Sequence, residues 1–151
     1  MRRLMKTLAV LTSFMFSMEA AAEPMPIEVH KTNGCGCCVA WMEHLEENGF
    51  SPTGNDLYTG LLMRLKLDNG VPPRMVSCHT AKIEGYVIEG HVPAADIHRL
   101  LAERPDAIGL AVPEMPLGSP GMDFGTRREA YDVFLIRNDG STEVFSSYGS
   151  D

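Results

Sequence analysis

Short β-branched runs alternate with apolar positions at helical spacing along most of this chain. Ile27 to Thr32 ends at Asn33-Gly34 and predicts a first strand. Beyond it Cys38, Trp41, Met42 and Leu45 recur at i, i+3, i+4 and i+7, one face of a helix that Asn48-Gly49 would end. Phe50 should pack back onto that helix, and Phe50 to Asn55 predicts a second strand. Tyr58, Leu61, Leu62 and Leu65 repeat the spacing over a helix from Leu57 to Asp68, with Asp56 as its N-cap and Asn69-Gly70 as its close. Val71-Pro72-Pro73 must leave the helical region, because proline restricts its predecessor. Arg74 to Ser77 and Tyr86 to Glu89 predict two further strands, joined through Cys78-His79 and Glu84-Gly85. Pro93 opens a third helix with Ile97, Leu100 and Leu101 inward and Pro105 as its stop.

After Pro105 the character changes. Gly109 to Gly125 is rich in Gly and Pro and predicts a loop with defined turns. Tyr131 to Ile136 and Glu143 to Tyr148 flank Asn138-Asp139-Gly140, a hairpin signal. The whole reads as an α/β domain, a mixed sheet flanked by helices with a C-terminal Gly/Pro-rich loop and β-hairpin.

Residues 1–22 follow another logic. Arg2, Arg3 and Lys6 precede an apolar stretch from Thr7 to Met18, and Ala20-Ala21-Ala22 supplies small residues for cleavage before Glu23. That is the layout of a secretory signal peptide, too short for the roughly 20 apolar residues of a membrane span. Arg2-Arg3 is a partial match to twin-arginine export, and the general secretory route fits better. The absence of a cysteine at the cleavage region argues against a lipoprotein anchor. The expectation is an exported, periplasmic protein with a single domain over 23–151.

Composition narrows the function classes. Hydrophobic residues make up 44% and charged residues 22%, an ordinary globular balance. The net charge of −7 becomes −9 once the leader takes away three bases and Glu19. No positive field is left to displace counterions from nucleic-acid phosphate. All four cysteines remain in the mature part, too few for a disulfide-stapled miniprotein.

Their spacing matters more than their number. Cys35 and Cys38 form a C-x-x-C between a strand and a helix, the setting of thioredoxin-like redox sites, where the helix N-terminus favours thiolate. The element order is that of such a fold, and Val71-Pro72 lies where it would place a cis-proline facing the thiols. Cys35 as nucleophile and Cys38 as resolving thiol would make a thiol–disulfide oxidoreductase. Cys37 has no role in that exchange. Three thiolates within four positions concentrate negative charge that a soft cation neutralises. The adjacent pair Cys37-Cys38 would chelate one ion awkwardly but bridge several readily, which favours a multinuclear Cu(I)–thiolate site over one structural zinc. Cys78 and His79 add a thiol and an imidazole, and His91 a second imidazole, so that Cys35, Cys37, Cys38, Cys78, His79 and His91 form the candidate metal set. Met115 and Met122 are thioether candidates from the glycine-rich loop. Trp41 reads as core and His44 as solvated, while His30 and His98 carry no signal.

A long series of motifs resembles a known family. Lys31-Thr32, Cys35-Gly36-Cys37-Cys38, Trp41, His44-Leu45, Gly49-Phe50, Gly70-Val71-Pro72, Ser77-Cys78-His79-Thr80-Ala81, Gly85-Tyr86, Glu89-Gly90-His91-Val92-Pro93 and Gly118-Ser119-Pro120-Gly121-Met122 are similar to the CopG-type bacterial periplasmic metal-binding proteins. The resemblance spans about Ile27 to Tyr148. It implies a thioredoxin-like domain linked to copper resistance. It also implies a cluster of copper ions held by Cys35, Cys37, Cys38 and Cys78, with redox between Cu(I) and Cu(II) as a further implication. Partners would be copper ions and other periplasmic copper-handling or redox proteins. One departure is visible: Glu114 stands before Met115, where the family pattern has glycine.

Overall fold

The computed structural model describes residues 23–150, so the signal-peptide reading of 1–22 lies outside the described residues. Seven strands form one mixed sheet, β1 (Met25–Lys31), β2 (Phe50–Asp56), β3 (Thr80–Ile83), β4 (Tyr86–Glu89), β5 (Gly109–Ala111), β6 (Tyr131–Ile136) and β7 (Thr142–Tyr148), in the spatial order β2-β1-β3-β4-β5-β6-β7. Three helices, α1 (Gly36–Glu47), α2 (Thr59–Asp68) and α3 (Ala94–Glu103), connect its N-terminal half. The pairs β1–β2 and β4–β5 are parallel and the others antiparallel.

Alternation along the strands divides the core. Ile27 and Val29 of β1, Ala81 and Ile83 of β3, Tyr86 and Ile88 of β4, and Leu110 of β5 share one cluster with Trp41 and Leu45 of α1 and Ile97 and Leu100 of α3. The intervening positions Val87, Ala111 and Ile136 pack with Val71 and Met75 on the other side. Period two in the strands therefore feeds two apolar layers, and the helical stripes of α1 and α3 pack on the larger one.

Several local expectations give way to packing. Arg74 to Ser77 is not a strand: Pro73, pre-set for a helical first turn, starts a 3₁₀ turn at Pro73–Met75, and the strand begins only at Thr80. No peptide bond among the described residues is cis, so the cis-proline expected at Pro72 is trans. Gly109–Ala111, expected as loop, is an interior strand paired on both sides. Helix α2 starts two residues late because Asp56 completes β2, where Lys31 Nζ donates to its carboxylate at 2.5 Å. Its inward positions are Leu62 and Lys66, while Tyr58 and Leu61 are 86% and 56% exposed.

Candidate metal centre

One row of paired residues crosses the sheet, His30–Thr80–Glu89–Ala111, from β1 through β3 and β4 to β5. The four cysteines, His79 and His91 lie just beyond that row. The chain leaves β1 into Cys35-Gly36-Cys37-Cys38, enters β3 from Cys78-His79, and leaves β4 into Gly90-His91. Two consequences of register, not sequence proximity, bring these three segments together.

Helix α1 begins at Gly36 with Cys35 as its N-cap residue, so Cys37 and Cys38 occupy the first turn, where unpaired N–H groups and the positive dipole end face the thiols. Cys35 and Cys38 are joined in a disulfide, and Cys37 and Cys78 are free thiols. Each sulfur of the disulfide has a free thiol beside it: Cys37 Sγ is 3.6 Å from Cys35 Sγ, and Cys78 Sγ is 3.6 Å from Cys38 Sγ. All four sulfurs fall within 4.8 Å of one another. Cys38 is fully buried and the other three are partly exposed, an arrangement open to an incoming ion or thiol.

The two imidazoles close the site from below. Cys78 Sγ lies 3.2 Å from His79 Nδ1 and 3.0 Å from His91 Nε2. Pro120 C=O can only accept, so His91 Nδ1 donates to it at 2.8 Å, and the neutral ring keeps the lone pair of Nε2 toward Cys78. His79 packs tilted against Trp41 at 4.3 Å between centroids and meets His91 edge-on at 5.0 Å. Trp41 is in turn fixed by its indole N–H, which donates to Val92 C=O at 2.9 Å. Burial holds both histidines below their usual range, most strongly His79, so each is neutral at neutral pH. Burial, with Cys37 alongside, pushes the Cys78 thiol up to about 12. Cys78 is therefore protonated at rest, and its proton must be displaced before it ligates.

Residues outside the candidate metal set support this geometry. Glu89, fully buried, accepts from Ser77 N–H at 2.7 Å and from the Thr80 hydroxyl, gripping the segment on both sides of Cys78-His79. Lys66 of α2 donates to Glu89 Oε1 at 2.7 Å and to Thr80 Oγ1 at 2.8 Å. Gly90, at φ +72°, can be only glycine, since a Cβ there would sit 2.4 Å from Val112 C=O and 2.5 Å from Ser77 Oγ. The glycine-rich loop lies against α1: a Cβ on Gly121 would meet Cys37 C=O and Trp41 N at 2.7 Å.

The remaining candidates sort plainly. All six residues of the candidate metal set converge. Met115 is 47% exposed, whereas Met122 is buried within the loop. Glu114 takes φ +61°, the left-handed conformation glycine favours, and its C=O accepts from the Ser77 hydroxyl. His44, expected in solvent, is half-buried, and its Nε2 accepts from Ala94 N–H at 3.1 Å at the start of α3. His98 donates to Asn48 C=O at 2.8 Å and packs on Phe50. Among the described residues no helix is long and apolar enough to cross a membrane.

With the disulfide open, four sulfurs and two imidazoles would be available, a donor set that selects soft cations and contains no carboxylate for hard ones. Comparison with known proteins agrees with a metal-handling role. A family described as a protein of unknown function, DUF411, matches residues 75–122, the span that carries Cys78, His79 and His91. A solved structure titled copper resistance protein CopG, form 1, is 47% identical with a TM-score of 0.78, the match covering 84% of this chain and 99% of that one. Form 2 of the same protein gives 48% identity, a TM-score of 0.77, and coverage of 83% and 99%. No curated protein sequence matches.

Proposed function

The chain belongs to the family of the copper resistance protein CopG, and from that premise we propose that it is an exported, periplasmic protein that holds Cu(I) on a multinuclear thiolate cluster. The observation that carries the reading is the convergence of four sulfurs within 4.8 Å at one helix N-terminus. Cu(I) prefers soft thiolate donors, and sulfurs so close together bridge neighbouring ions more easily than they surround one. The order of strands and helices up to α3 supports the thioredoxin-like reading of the domain, and the N-terminal sequence pattern supports export.

In this reading copper is the cargo. Cys35, Cys37, Cys38 and Cys78 supply the bridging sulfurs once reduced, and His79 and His91 cap the buried side. The role is copper resistance by sequestration, with Cu(I)/Cu(II) interchange as the redox step the family resemblance implies. Zinc would be the lesser occupant.

A second reading has one specific observation in its favour, the closed Cys35–Cys38 disulfide. A thiol–disulfide oxidoreductase would use Cys35 as nucleophile and Cys38 as resolving thiol. Cys37→Ser separates the two. A cluster should lose bound Cu(I) per chain when the reduced protein competes with a chelator, with little change in insulin reduction. Unchanged copper stoichiometry in Cys37→Ser, together with strong insulin reductase activity, would favour the oxidoreductase.

A further inference from the structure

The Cys35–Cys38 disulfide withdraws two of the four sulfurs, yet it leaves a second donor set whole. Cys78 Sγ and one nitrogen each of His79 and His91 lie within 4.8 Å of one another, and none of the three takes part in the disulfide. We infer that the protein binds a single copper ion on Cys78, His79 and His91 while Cys35 and Cys38 are disulfide-bonded. The choice of copper rests on the function proposed above; the existence of the site does not.

Four observations carry this. The donors are held before any ion arrives: Cys78 and His79 by the Glu89 grip on Ser77 and Thr80, and His91 by its Nδ1–H bond to Pro120 C=O. That last bond leaves Nε2 as the ligating atom, the arrangement by which an outer partner orients a metal-binding histidine. His79 is fully buried and holds its Nδ1 3.2 Å from Cys78 Sγ, so that nitrogen faces the same point as Nε2 of His91. Finally, one thiolate and two neutral imidazoles balance Cu(I) to zero net charge, which limits the cost of placing an ion among buried groups.

One thiolate with two imidazoles also differs chemically from the four-sulfur cluster. It suits copper in either oxidation state or zinc, whereas carboxylate-seeking Mg²⁺ and Ca²⁺ find no ligand. The disulfide thereby sets capacity. Opening it takes two electrons and two protons from a dithiol, which is itself oxidised to a disulfide, and returns two thiols to Cys35 and Cys38. The site then grows from one ion to several.

The test is anaerobic Cu(I) titration against a competing chelator, run on the disulfide form, on Cys35→Ser/Cys38→Ser, and on the reduced protein. The disulfide form and the double variant should each retain one Cu(I) per chain. X-ray absorption on that wild-type complex should show one sulfur and two nitrogens, a readout that needs no variant. His91→Gln should weaken binding at least about tenfold. Retention of no copper by the disulfide form would overturn the inference, as would a two-sulfur environment lost on Cys37→Ser, which would mean a linear Cys37–Cys78 site. If the reduced chain takes several ions and the disulfide form none, this inference fails and the cluster survives. One ion in both forms, with the sulfur and two nitrogens, would uphold this site and contradict the cluster.

Discussion

Lys66 Nζ and Glu89 Oε1 meet at 2.7 Å with side chains 2% and 0% exposed, a buried ion pair directly under the segment that presents Cys78. Burial raises the Glu89 carboxyl above its ordinary value, and the Lys66 ammonium, with the Ser77 N–H and the Thr80 hydroxyl, opposes that rise without cancelling it. The pair costs desolvation energy, and its return is positional: both carboxylate oxygens are committed to the two ends of Ser77–Thr80.

Lys66→Met should therefore destabilise the fold by about 3–5 kcal/mol, because it leaves an uncompensated buried carboxylate. Urea unfolding measures this. Lys66→Met/Glu89→Leu should recover part of the loss, and alkylation of Cys78 should be faster in both variants than in the parent, since Ser77 N–H has lost its acceptor in one and its anchor in the other. Wild-type alkylation kinetics in the double variant would show that the pair does not position Cys78.

Acid should weaken the metal-free fold through its buried histidines. His44, His79 and His91 are all held below the ordinary value of 6.5, with burial the largest cause in each. A depressed folded value means the unfolded chain binds more protons, so stability is present above about pH 6.5 and is lost as pH falls toward the folded values. His44 adds a structural reason, since its Nε2 must be unprotonated to accept from Ala94 N–H. The urea midpoint should fall between about pH 7.5 and about pH 5.5, and a flat profile would contradict the burial assigned to these rings.

Copper loading should run the other way with proton release. Cys78 sits at about 12, so it carries a proton at neutral pH, whereas the two imidazoles are already neutral and release none. Affinity should rise by about tenfold per pH unit for each thiol proton displaced. Competition against a chelator of known pH behaviour, or proton counting during loading, checks the slope.

The parts of this molecule that follow one residue's pattern were legible in the chain. Trp41 and Leu45 on a helical stripe, Tyr131 to Ile136 before a turn at Asn138-Asp139-Gly140, and the cysteines at a strand–helix junction all need only local periodicity. What failed depends on partners far away in sequence. Gly109–Ala111 reads as loop because its strand status comes from β4 and β6 on either side. Tyr58 and Leu61 look inward by count, yet α2 turns Leu62 and Lys66 to the sheet. A lysine four residues after Leu62 and a glutamate alternating with Val87 were the available signal for the buried pair. Their opposite signs on two inward positions could have suggested it. The Pro120 carbonyl that orients His91 had no signal, because backbone acceptors are silent in sequence.

Gly121 tests whether the loop holds the site. Alanine there needs φ +82° and puts a methyl 2.7 Å from Cys37 C=O and Trp41 N, both backbone atoms that cannot rotate away. Gly121→Ala should cost more than about 1 kcal/mol and draw Pro120 off His91. Loss of hydrogen-exchange protection across 118–122 without change in the β6–β7 hairpin would show the effect is local.

The proposed cluster requires the reduced chain to bridge several copper ions through four thiolates. X-ray absorption at the copper edge on the fully reduced, Cu(I)-saturated protein decides whether it does. A multinuclear cluster gives short copper–copper scattering alongside copper–sulfur scattering, with more than one copper per chain. A spectrum with sulfur and nitrogen neighbours but no copper–copper contribution, at one copper per chain, would contradict it.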